Sequence, residues 1–143
     1  MEKEMTTNAP KLNAPELNAP ELNALEIARN YIACWNEIDI DRRRALLETH
    51  WRAEASYVDP LMAGGNLLEV DALIAAVQTR FPGHSFTLKD GAEGHNGRVR
   101  FSWSLGDNNA PHGPAIAHGT DFVTLGADGK IASVTGFLDQ VAA

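Results

Sequence analysis

A chain of 143 residues with 44% hydrophobic and 22% charged content suits one globular domain with a core of its own. Its formal net charge of −7 opposes phosphate backbones and anionic lipids, which excludes nucleic acid and membranes as expected partners and favours a neutral or weakly charged ligand. The single cysteine, Cys34, allows no internal disulfide, the start Met1-Glu2-Lys3-Glu4 lacks an apolar signal core, and no run reaches the ~18 apolar residues of a membrane span, so a cytoplasmic location is expected.

Residues 8–27 hold a near-repeat: Asn-Ala-Pro-Lys-Leu, Asn-Ala-Pro-Glu-Leu twice, then Asn-Ala-Leu-Glu-Ile. Pro10, Pro15 and Pro20 withhold amide donors, so residues 1–22 are expected to form a flexible, extended tail, with a single domain over 23–143. The last copy lacks the proline, and Asn23 followed by Glu26 makes a capping-box-like start for a helix from about Ala24. Leu25, Ala28, Tyr31, Ile32, Trp35 and Ile38 recur at helical spacing on its expected buried face. Asp39 is the expected cap of a second helix reaching about Glu54, with Ile40, Leu46, Leu47 and Trp51 inward and Arg42, Arg43 and Arg44 largely outward. A short strand over Ala55 to Val58 stops before Pro60, and a third helix spans about Val70 to Arg80, ended by Phe81-Pro82-Gly83.

From His84 the period changes to two. Strands are expected over Ser85 to Lys89, over Arg98 to Leu105 after an Asn96-Gly97 turn, and over Ala115 to Leu125 and Ile131 to Leu138 around Asp128-Gly129. Helices first and an antiparallel meander afterwards predict an α+β domain, its sheet curved over the helices with a cavity between them.

Few residues are placed to do chemistry. Period two puts Asp121 with Val123 and Leu125 on an apolar strand face, where a carboxyl must be protonated, paired or at a pocket. Asp59, in Ser-Tyr-Val-Asp-Pro-Leu-Met-Ala-Gly-Gly, reads either as the start of a turn before Pro60 or as a carboxylate at a pocket mouth. Tyr31 by itself reads as a core aromatic. Together the three offer two carboxyls in contrasting surroundings, one free to remain an ionised base and one to remain a protonated donor. Trp35 and Trp103 read most simply as core residues that could also line a cavity wall, and with Phe101 they are the candidate substrate-contacting aromatics. The five histidines (His50, His84, His95, His112, His118) show no metal-ligand spacing, and no phosphate loop or nucleophile elbow occurs, so neither a metal nor a cofactor is expected.

Three stretches, "YIACWNEIDID", "YVDPLMAGG" and "GTDFVTLGADGKIASVTGFLD", make the chain from about Asn23 onward resemble the nuclear transport factor two-like superfamily, within it the SnoaL-like and ketosteroid isomerase-like proteins. The resemblance implies a cone-shaped α+β fold of three N-terminal helices against a curved sheet, and a homodimer. It also implies cofactor-independent proton transfer beside a carbonyl of a small, largely apolar ligand, by isomerisation or by polyketide cyclase-like ring closure. Carried over by residue, the base falls on Asp59 and the oxyanion hole on Tyr31 and Asp121. Arg98 and Arg100 lie on the opposite strand face, which disfavours the Asp-Arg-Asp hydrolase set found on this fold. The alternative expectation is a non-catalytic binding or dimerisation module.

Overall fold

The computed structural model describes the backbone of residues 3–4, 7–8 and 14–141 and the side chains of residues 23–139 and 141. Three helices, α1 (Ala14–Asn36), α2 (Ile40–His50) and α3 (Leu67–Arg80), pack on a six-stranded sheet. Its strands are β1 (Trp51–Val58), β2 (Ala63–Gly64), β3 (His84–His95), β4 (Arg98–Asp107), β5 (Ala117–Leu125) and β6 (Ile131–Val141), in spatial order β2-β1-β6-β5-β4-β3. The end strands do not pair with each other, so the sheet stays open. Among the described residues no helix is long and apolar enough to cross a membrane.

The β3 to β6 meander is antiparallel, as its turn residues predict: Asn96 (φ 48°) and Gly97 (φ 74°) both take the left-handed conformation of a two-residue hairpin, and Gly129 (φ 81°) is left-handed in the longer loop between β5 and β6. The expected antiparallel meander left the partner of β1 unassigned; β1 runs parallel to β6 and brings Tyr57 opposite Val134. A parallel partner needs a long crossover, here α3 and the whole meander, and short-range patterning carries no trace of it.

Several boundaries also move. The first helix starts at Ala14 rather than near Ala24, because Pro15 falls in its first turn, where an amide has no helical partner to lose. Pro20 removes one backbone hydrogen bond without ending the helix. The packing of the 1–22 tail lies outside the described side chains. At the other end α1 stops at Asn36, whose side-chain amide pairs with both backbone groups of Phe86 (2.9 and 2.8 Å). Ile38 is therefore in a connector and 82% exposed rather than buried, and Ile40 is exposed at the start of α2. The second helix ends at His50, and Trp51 opens β1 instead of extending it. Arg43, expected outward, is buried against Asp71 of α3. That helix starts three residues before Val70, capped by Asn66, which accepts from Glu69 N (2.9 Å) while Glu69 accepts from Gly65 N (2.6 Å).

The core lies between α1 and the concave sheet face. Val99, Phe101, Trp103 and Leu105 of β4 all point into it, and Arg98 and Arg100 point away, Arg100 pairing with Glu93. Cys34 is fully buried, and burial pushes its thiol up to about 12, so it behaves as a small hydrophobe.

Candidate active site

A cavity of about 260 Å³ opens between the concave sheet face, the C-terminal half of α1, and the Asp59 to Met62 turn. Its walls are apolar, from Ile32, Val77, Phe86, Leu105, Ile116 and Leu138 among others. Tyr31, Asp59 and Asp121 all line it, as do Trp35 and Trp103. Phe101 does not. It is buried one layer deeper, edge-on to Tyr31 with ring centroids 5.1 Å apart, and supports that ring rather than facing the cavity. His118 is drawn to Lys89 (Nδ1 to Nζ 3.4 Å) and His95 lies exposed beside Asn96, both off the cavity lining.

The Asp59 carboxylate is fixed by three donors. Oδ1 accepts from the backbone amides of Leu61 (2.7 Å) and Met62 (2.9 Å), and Oδ2 accepts from the Tyr57 hydroxyl (2.6 Å). Both acceptor directions of Oδ1 are thereby filled, and one direction of Oδ2 stays open. Asp59 is thus both things the sequence allowed: a turn former before Pro60 and a carboxylate on a cavity wall.

Asp121 sits in contrasting surroundings. It is 3% exposed, and desolvation raises its carboxyl to about 6, with the nearby Tyr31 hydroxyl and Trp103 indole pulling down and the charges of Asp59 and Asp139 pushing up. The Tyr31 hydroxyl lies close enough to Asp121 to affect its titration, yet no partner meets full hydrogen-bond geometry, so it is a buried donor without an acceptor. The Trp35 indole N–H is another. Burial, then the charge of Asp121, holds the Tyr31 hydroxyl well above the ordinary tyrosine range, and burial does the same to Tyr57, so both stay protonated donors.

Two glycines make room for this cluster. A Cβ on Gly136, opposite Asp121 in the β5–β6 ladder, would lie 2.8 Å from Asp121 Oδ1, 3.2 Å from Asp59 Cβ and 3.5 Å from Tyr57 Oη. One point on the strand therefore touches both aspartates and the second tyrosine. A Cβ on Gly119 would collide with the Trp103 indole, which lies flat across the position opposite it. Tyr57 and Gly136 escaped the sequence reading. Period two from Asp59 was available for the first, and a glycine inside a strand for the second.

No family model matches the chain, and no curated protein sequence does. Among solved structures it is similar to a SnoaL-like family protein from Agrobacterium tumefaciens, with 42% identity, a TM-score of 0.78, and coverage of 83% of this chain and 99% of that one. A SnoaL-like protein from Burkholderia thailandensis (14% identity, TM-score 0.66, 84% and 98% covered) shares the fold. So does a structure from a Jannaschia species that carries the provisional name of a SnoaL-like polyketide cyclase (16%, 0.66, 91% and 92%). With two-fifths of the aligned residues identical across nearly the whole of the Agrobacterium protein, and the open sheet and apolar cavity described above, the chain belongs to the SnoaL-like family.

Proposed function

We propose that this protein moves a proton beside a carbonyl of a small, largely apolar substrate, without a cofactor. The observation that carries the reading is the pairing of two unlike carboxyls in one apolar cavity: Asp59, with a single open acceptor direction on Oδ2, and Asp121, buried, with its carboxyl raised beside a tyrosine hydroxyl that lacks an acceptor. Asp59 Oδ2 takes a proton from the carbon next to the carbonyl, and the C–H electron pair moves to the carbonyl oxygen. The resulting enolate oxygen accepts from the Tyr31 hydroxyl and the protonated Asp121. Return of the proton to another carbon isomerises the substrate; for ring closure the enolate carbon attacks a second carbonyl carbon, the C=O electron pair moves to that oxygen, and the oxygen takes the proton from Asp59 to end as a hydroxyl. The Agrobacterium relative is named, provisionally, as an isomerase, and the Jannaschia structure as a cyclase, in keeping with either outcome.

A binding module without chemistry is the second reading, favoured by the donors of Asp59, two of which are those of an ordinary turn. Fluorescence titration with substituted phenols, which mimic an enolate oxygen on an apolar body, separates the two. At about pH 5, where Asp121 keeps its proton, Tyr31→Phe and Asp121→Asn are each expected to weaken phenol binding about tenfold or more. Asp59→Asn is expected to slow turnover of an enolisable ketone by about 10² to 10⁴ with the circular dichroism spectrum intact. Phenol affinity indifferent to both donor substitutions would sink the catalytic reading.

A further inference from the structure

The cavity is electrically lopsided. Asp59 and Asp121 supply its acidic groups, while among the described residues Arg80, exposed in the last turn of α3, is the one cationic side chain on its lining. The Arg80 guanidinium lies over the Phe81 ring, 5.7 Å from its centroid, and Phe81 lines the same cavity. Among the described residues the arginine ion pairs engage Arg43, Arg44, Arg52 and Arg100, and none engages Arg80. A helix C-terminus favours a cation in this turn, but it does not dictate that the head group be laid on the aromatic rim of an apolar cavity.

Strand register separates the two poles. Asp121 pairs with Phe101 and Gly136, and four residues earlier on β5, Ala117 pairs with Leu105 and Val141. At about 3.4 Å per residue, those two levels are about 13 to 14 Å apart. Phe81 belongs to the second level: it leads into His84, whose partner Asp107 lies just beyond Leu105.

We propose that the ligand of this cavity is an amphipathic anion, with an apolar body between a carbonyl at the Asp121 level and a carboxylate held by Arg80 at the mouth. This rests on the enolisation reading for the group that points inward. A carboxylate suits the planar guanidinium fork, and one ring system spans the distance between the levels. The polarity also sets orientation, because an anionic end entering first would meet the two aspartates. The net charge of −7 repels anions from the surface at large, and Arg80, exposed on the cavity lining, reverses that sign locally.

The test compares 2-naphthol with 6-hydroxy-2-naphthoate, which has the same phenolic end and a carboxylate at the far end of the rings, by quenching of tryptophan fluorescence. The naphthoate is expected to bind the parent about tenfold more tightly. In Arg80→Gln the ratio of the two affinities is expected to fall to about one. A naphthoate that binds the parent no better than 2-naphthol, a preference that survives in Arg80→Gln, or the failure of both probes to bind would overturn the proposal. The enolisation reading fails separately, through 2-naphthol affinity that ignores Tyr31→Phe and Asp121→Asn.

Discussion

Asp121 couples the site to pH and to stability. Its carboxyl stands at about 6 in the folded chain against 3.8 for an unburied group, so folding favours the protonated form. The stability this represents is fully present below about pH 4 and is lost as pH rises through about 6, about 3 kcal/mol in all. Asp121→Asn has no proton to lose there. In urea unfolding, its stability relative to the parent is expected to rise by up to about 3 kcal/mol between pH 4 and pH 8. A constant offset would show that Asp121 does not titrate in this range. The same titration removes the acid donor from the oxyanion site: near pH 7 about one molecule in ten keeps the proton. Asp121 was legible because period two put it on a face of valine and leucine. Tyr57 was equally legible by that rule but carries no charge out of place, and so gave no alarm.

At the scale of elements, the cavity depends on a polar clamp that the sequence hid. Arg43 of α2 donates from Nε to Asp71 Oδ1 of α3 (2.6 Å), and Arg44 donates from Nε to Oδ2 (3.1 Å). Arg43 Nη1 also reaches the Glu37 carbonyl (3.0 Å) and Gln78 Oε1 (3.1 Å), while Gln78 Nε2 donates to the carbonyls of Trp35 (3.0 Å) and Glu37 (2.9 Å). The end of α1 is thus tied to both other helices, and Trp35 is held on the cavity wall. With both Arg43 and Asp71 buried, Asp71→Asn leaves a guanidinium charge without its counter-charge, and a loss of about 3 to 5 kcal/mol is expected in urea unfolding. A loss under about 1 kcal/mol would show that the amide replaces the carboxylate well enough. Three arginines in a row read as a solvated helix face because the residue that buries one of them lies twenty-eight positions away.

For the whole molecule the boundary to settle is the N-terminal one. Asn23 and Glu26 lie inside α1, yet they are the residues a helix needs to start afresh if everything before them is removed. We therefore expect a chain beginning at Asn23 to melt at the same temperature as the full one by circular dichroism. A large drop would show that residues 1–22 pack on the domain and that the proline-rich stretch is part of its fold.

The sequence by itself determined the α+β class, the meander with its two turns, the apolar face of β4 and the odd position of Asp121, because each follows from period, turn chemistry or a charge on an apolar face, whereas Tyr31 and Asp59 were singled out only by the family resemblance. Tertiary structure alone decided the parallel pairing of β1 with β6, the burial of Arg43, and the place of Phe101 behind Tyr31 instead of on the cavity wall. It also decided the convergence of Asp59, Tyr57 and Asp121 on Gly136, and the place of Arg80 on the cavity lining. Each of these is a meeting of segments distant along the chain. Local pattern reports which face a residue takes, whereas what that face meets depends on how the sheet curves and closes over the helices.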